Sequence, residues 1–158
     1  MRVLTTTIAM TGLLAAATAG TTSAVAGPPP VPAPSERHAA APDGFVYAWD
    51  LPGGRGATCR WSGADRDWGD CTSHGTENSM LNRASDLWNN GVHAEYENVD
   101  FHWGKDQGGA WACLSRGDSW PNLTTGGQTF SHYYPWSAGK NERIDNNIAS
   151  HRWSNDAC

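Results

Sequence analysis

The residues with chemistry to offer in this 158-residue chain are six histidines, sixteen carboxylates and four cysteines. Their spacing decides what they can do. His74, His93, His102, His132 and His151 are scattered, without the H-E-x-x-H pairing that puts two imidazoles on one helix face for zinc. No G-x-S-x-G elbow raises a nucleophilic serine. Glu95/Glu97 and Asp65/Asp67 are close enough in sequence to form an acid–base couple of the kind that cleaves glycosides. In a chain this acidic, such pairs are more often solvated than catalytic. Asp65, Asp67 and Asp70 could surround a cation, but Trp68 and Gly69 interrupt the spacing of a calcium loop, so a solvated acidic loop is expected. The chain reads as a non-enzyme, with no cofactor and no bound metal.

The cysteines carry the clearest chemistry. Cys59, Cys71, Cys113 and Cys158 are an even set without C-x-x-C or paired Cys/His spacing, which favours two disulfides over a zinc site. The turn-rich stretch 61–70 lies between Cys59 and Cys71 and can bring them together. Cys59–Cys71 and Cys113–Cys158 are therefore the expected bonds. Closing the shorter loop stabilises the fold by roughly 3 kcal/mol and the longer by about 4.

Disulfides need an oxidising compartment, and the chain begins in keeping with one. Residues 1–26 read as a signal peptide: Arg2 is the positive start, Leu13 and Leu14 mark a short apolar run, and Ala24-Val25-Ala26 supplies small residues for cleavage. The run is too short to span a bilayer, so the product is expected to be secreted. Residues 27–43 hold Pro28, Pro29, Pro30, Pro32, Pro34 and Pro42 and form a Pro/Ala-rich linker or pro-segment. Residues 44–158 suit one domain. The net charge of −5 grows more negative when Arg2 leaves, and no basic stripe is present. Nucleic acid and anionic membranes are therefore poor partners, and a monomer is expected.

All nine tryptophans fall inside that domain, while aliphatic residues are sparse, so a few large aromatics should dominate the core. Short runs such as 45–49 and 111–114 lie between Gly, Asn and Asp clusters, the punctuation of strands and turns. Only 79–88 has helix-like spacing, through Met80, Leu81, Ala84 and Trp88, and a short helical turn is the most expected there. Two repeats organise these pieces. The phrase N-x-A-S-x-x-W-x-N occurs at 82–90 and again at 147–155, which points to a duplicated supersecondary unit. Upstream of each, an aromatic strand end runs through a Gly-rich hairpin to a cysteine, at 49–59 and 103–113. Halves of about 44–91 and 92–158 follow, related by a pseudo-twofold that puts Trp88 and Trp153 in equivalent positions near a shared core. The second half is the longer, with its insertion at 124–138.

An aromatic–Gly hairpin followed by a polar Asn/Asp–Ser phrase, twice over, resembles two βγ-crystallin-type Greek keys, which implies an all-β, βγ-crystallin-like fold. Residues 145–153 and 82–91 are also similar to signature stretches of the Streptomyces metalloproteinase inhibitor family, a resemblance covering about 45–158. βγ-Crystallin domains often bind calcium through N/D-N/D-x-x-S/T-S. Here Ala149 stands where a hydroxyl oxygen belongs, and Met80, Leu81 and Ala84 remove three ligand positions from the first copy, so these residues should serve turns instead.

The inhibitor resemblance implies a secreted peptidase as partner, a metallopeptidase in the first instance, blocked by tight binding. It also implies an inhibitory loop in the second half, next to a cysteine and followed by an apolar residue. Trp111, Cys113, Leu114, Ser115 and Arg116 fit that description, with Leu114 filling the enzyme's apolar pocket. The family pattern staples the loop with another cysteine a few residues on; 114–118 contains none. Two other readings compete. His132-Tyr133-Tyr134-Pro135-Trp136 could stack on sugar rings, making the protein a carbohydrate- or cell-wall-binding module, although the same residues suit a packed connection. A killer-toxin-like secreted protein of the same fold is the other.

Overall fold

The structure, a computed structural model, describes residue 38 and residues 40–71 and 79–158. The signal peptide, most of the linker and His74 lie outside the described residues. In chain order the elements are strands β1 (Phe45–Leu51), β2 (Arg55–Trp61), β3 (Asp86–Asn90), β4 (Asn98–His102), β5 (Trp111–Leu114) and β6 (Ser119–Trp120), a one-turn helix α1 (Leu123–Gly126), and strand β7 (Ser150–Ser154).

Alternation builds the first sheet. Along β1, Val46 and Ala48 turn inward and are fully buried, while Tyr47 and Trp49 turn outward. The β1–β2 hairpin turns at Gly53 and Gly54, both at positive φ. Four strands then lie in the order β2-β1-β3-β6, and three in the order β5-β4-β7, with antiparallel pairing throughout. Asp65 extends the second sheet through an antiparallel bridge to His151 on β7. Each half thus contributes a hairpin and a final strand to one sheet and sends a short third piece to the other. The fold is all-β, two interlocked Greek keys sharing one core.

The pseudo-twofold is exact enough at the backbone to correct the sequence alignment. Ser85 N–H donates to Trp49 O at 2.8 Å, and Ala149 N–H donates to His102 O at 3.0 Å. Leu123 N–H donates to Ser85 O, and Trp68 N–H to Ala149 O, each at 2.9 Å. Asn82 N–H donates to Ile148 O and Asn146 N–H to Ala84 O, and both asparagines have φ near 55°. Ser85 is therefore equivalent to Ala149, and Asn82 to Asn146. The repeated phrase, which would match them to Ser150 and Asn147, is one residue out. In a strand that slip reverses the face. Trp153 turns toward the core across from Val99, whereas Trp88 turns outward across from Tyr47. The expectation of equivalent tryptophans is thus corrected, and Trp88 is buried instead against His38 and Tyr47, which also pack on Trp49. The hairpins show the same slip: Gly56 and Gly109, with φ of 76° and 78°, are the matching positions, and inward Cys59 matches inward Ala112.

The core mixes both side-chain classes. Trp68 stacks on Trp61 at 4.6 Å and meets Phe101 edge-on, and Leu87, Phe130, Ile144 and Ile148 fill the rest. Residues 81–83 form a turn, not a helix, because Asn82 takes a left-handed conformation, and from Asp86 the chain is strand. The disulfides are Cys59–Cys71 and Cys113–Cys158, as the cysteine spacing predicts. The domain edge reaches slightly into the linker: Asp43 and Gly44 both donate to Asn90 O, and Asn90 donates back to Ala41 O.

Candidate functional site

Strand β5 decides the fate of the residues 111–116. Paired to β4, it points Ala112 and Leu114 into the core and leaves Trp111 and Cys113 on the outer face. Leu114 is 2% exposed, and its carbonyl accepts from Asn89 Nδ2 at 3.0 Å. A side chain so placed has no route into an enzyme pocket, which corrects the role assigned to Leu114. Cys113 is committed to the disulfide with Cys158. Ser115 and Arg116 belong to a tight turn, 115–118, with Asp118 N–H on Ser115 O and Gly117 N–H on Asn89 O. Arg116 is exposed and paired to Glu97 at 2.9 Å.

Of the carboxylate pairs, Asp65, Asp67 and Glu97 are occupied by backbone and cationic partners. Asp65 accepts from Asp67 N–H; Asp67 accepts from Gly69 N–H and from Lys105 Nζ, which holds its carboxyl below the ordinary range. Glu97 is likewise lowered, by His93 first and then Arg116. Among the described residues no three His, Cys, Asp or Glu side chains converge as metal ligands. Asn147 donates to Arg143 O and serves a turn, whereas Asp145 accepts from Ser85 Oγ and ties the two halves together.

Trp111 belongs to a different site. On the outer face of the second sheet a series of rings runs from His102 to Trp111 (6.0 Å), to Tyr134 (5.7 Å) and to Trp136 (5.4 Å). Tyr134 and Trp136 are nearly parallel, 7° apart. They are 57% and 81% exposed. Both sit on a turn that is clamped at its two ends to the start of β5. His132 and Trp111 exchange backbone hydrogen bonds of 2.8 and 2.9 Å, and Ala110 N–H donates to Ala138 O at 2.8 Å. Within the turn, Ser137 N–H donates to Tyr134 O while Ser137 Oγ accepts from Tyr134 N–H.

Beside these rings lies a groove of about 340 Å³ whose far wall is Trp103. Trp103 is itself fixed, donating from Nε1 to Glu142 at 2.9 Å and packing closely on Gly139, where φ is +76° and a Cβ would collide with the indole. A second recess of about 190 Å³ adjoins it and shares Gln107, Gly109 and Tyr134. His102, Trp111, Arg152 and Asp156 complete its lining. His102 is 4% exposed, and burial, with smaller contributions from Arg152 and His151, lowers its pKa to about 4. Sequence reasoning found the aromatic segment 132–136 but favoured a packed connection. His102 carried no signal at all, because its burial follows from pairing with β7, far away in sequence.

This is the all-β, βγ-crystallin-like class, as the exchange of third strands defines it. Solved structures similar to the chain are of that class. One comes from work on the evolution of the eye-lens βγ-crystallin domain fold, with 14% identity over 69% of this chain and 83% of that one, at a TM-score of 0.47. A second is a βγ-crystallin from Ciona intestinalis, with 13% identity over 70% of this chain and all of the other, at 0.45. A third is a βγ-crystallin from an archaeon, with 14% identity over 69% and 95%, at 0.44. No family model and no curated protein matches the chain.

Proposed function

We propose that this is a secreted, non-enzymatic binding protein whose ligand is a glycan seated on the Tyr134–Trp136 platform. The observation that carries the reading is Trp136: a tryptophan 81% exposed, on a turn clamped at both ends. Burying that much apolar ring is favourable, and the flat face of a pyranose matches an indole in shape and in its C–H surface. Because the turn is held before binding, little ordering cost remains at contact. Residues 1–26 and the two disulfides support export. Among the described residues no helix is long and apolar enough to cross a membrane.

The mature protein should be retained on at least one of cellulose, chitin or bacterial cell wall, with a shift in tryptophan emission. Trp136→Ala should lose retention while its melting temperature stays within a degree or two. Absence of retention on all three, with unchanged emission, removes the reading.

A second reading, the tight-binding inhibitor of a secreted peptidase, is favoured by one feature. The turn 115–118 presents Arg116 on a backbone already locked by Asn89 and Asn98. In that case Ser115 and Arg116 make the contact and Leu114 only packs beneath them. Titration of a panel of metallo- and serine peptidases tests it: stoichiometric inhibition weakened by Arg116→Ala supports inhibition, and an unaffected panel excludes it.

A further inference from the structure

We infer that the recess next to the aromatic platform is a polar subsite, in which His102 hydrogen-bonds the hydroxyl groups of a neutral sugar. The inference rests on the glycan reading and specifies what the ligand must carry.

The placement of His102 is the first ground. Its ring is almost wholly buried and lines the recess, yet among the described residues neither Nδ1 nor Nε2 has a hydrogen-bond partner. Buried imidazole nitrogens left unpaired are costly, and such groups are rare unless something uses them. The other buried histidine of the same sheet shows the contrast. His151 satisfies both nitrogens internally, at 2.9 Å to Trp68 Nε1 and 2.9 Å to Gly63 O.

The pseudo-twofold supplies the second ground. The position equivalent to His102 on the other sheet is Trp49, and there the outer face is closed: His38 packs on Trp49 and Trp88, each at 5.5 Å. On the second sheet the matching face opens into the recess and runs on into the platform groove, through shared Gln107, Gly109 and Tyr134. A ligand stacked on Tyr134 and Trp136 therefore has an edge, or a neighbouring ring, at His102.

Charge then selects the substituent. Arg152 also lines the recess, but its guanidinium is neutralised by Asp100 at 2.8 Å and Asp156 at 3.0 Å. A carboxylate entering there would meet Asp156 in the lining, along with an arginine already paired to two acidic side chains. His102 is neutral at ordinary pH, so one nitrogen donates and the other accepts. A hydroxyl group, which can donate or accept, complements whichever nitrogen meets the recess. Neutral sugars fit these requirements and uronic acids do not.

The test uses the mature chain with cellohexaose, chitohexaose, xylohexaose and an oligogalacturonate, read by tryptophan emission. At least one neutral oligosaccharide should bind, and the oligogalacturonate more weakly. His102→Phe should weaken that binding at least tenfold, about 1.4 kcal/mol, with melting temperature unchanged or raised, and His102→Gln should recover part of the loss. In the wild type, the ¹⁵N shifts of the His102 imidazole should move on titration, a readout that does not depend on any variant folding. Full binding by His102→Phe, or unmoved His102 shifts, while Trp136→Ala is defective, overturns the subsite and spares the platform. Preferred binding of the oligogalacturonate overturns the selection of neutral sugars. No response to any of the four oligosaccharides overturns the subsite, and, joined to no retention on cellulose, chitin or cell wall, it overturns the glycan reading as well.

Discussion

Two neighbouring residues, Leu114 and Arg116, separate packing from contact. Leu114 is buried against the core while Arg116 lies in solvent two residues on. Leu114→Asp removes buried methyl groups and places an unpaired carboxylate among Val99, Ala112 and their neighbours. Losing the packing alone costs about 2–5 kcal/mol, and burying the charge adds to it. The variant should be partly or wholly unfolded at room temperature, measured by urea denaturation. Arg116→Ala should change stability by less than about 1 kcal/mol, because its pair with Glu97 is exposed to solvent. A stable Leu114→Asp protein would show that β5 does not have the register described. From sequence, the pair Cys113-Leu114 was legible only as an apolar residue after a cysteine. Whether it faced in or out depended on which residues of β4 it opposed, and local pattern does not encode that.

At the level of elements, the duplication was legible and its register was not. Tryptophan and cysteine dominate the eye when two stretches are matched, but side chains are free to differ between copies. The backbone is less free. Asn82 and Asn146 must both take positive φ, as must Gly56 and Gly109, and these are the positions that align the halves. Substitution should follow that symmetry. Asn82→Gly and Asn146→Gly should be neutral or mildly stabilising, since glycine relieves the left-handed strain. Asn147→Gly, with no such strain and a hydrogen bond to Arg143 O to lose, should destabilise by about 1 kcal/mol. Gly56→Ala and Gly109→Ala should each cost on the order of 1–2 kcal/mol. Equal responses at 146 and 147 in chemical denaturation would contradict the alignment. The platform belongs to the same scale. Its rings were visible in the sequence, but their exposure depends on the clamp between His132 and Trp111, a contact across some twenty residues of chain.

Across the whole molecule, one of the ties between the two halves runs through a histidine, and that tie should make stability depend on pH. His151 on β7 accepts from Trp68 Nε1 through Nδ1 and donates from Nε2 to Gly63 O. Trp68 and Gly63 belong to the first half's piece that crosses to the second sheet, so this ring helps to hold the exchange. Only the neutral imidazole can make both bonds: a proton on Nδ1 would oppose the indole N–H. Burial lowers the His151 pKa to about 4, and His102 is lowered to about 4 by the same cause. In the unfolded chain both return to about 6.5. Between those values the unfolded state binds more protons than the folded one, so stability falls as pH falls. The contribution is complete above about pH 6.5 and is lost progressively down to about pH 4, on the order of 3 kcal/mol for each ring. Asp100 acts in the opposite sense. Burial raises its pKa against the pull of Arg152, so its protonation in the folded state gives back part of the loss at the acid end. Urea midpoints taken from pH 7.5 to 4 should decline most steeply between 6.5 and 4.5. His151→Gln should start from lower stability at pH 7.5 and show a shallower decline. If the wild-type midpoint is level across that range, or if the variant declines as steeply, the neutral His151 bridge does not contribute to joining the halves.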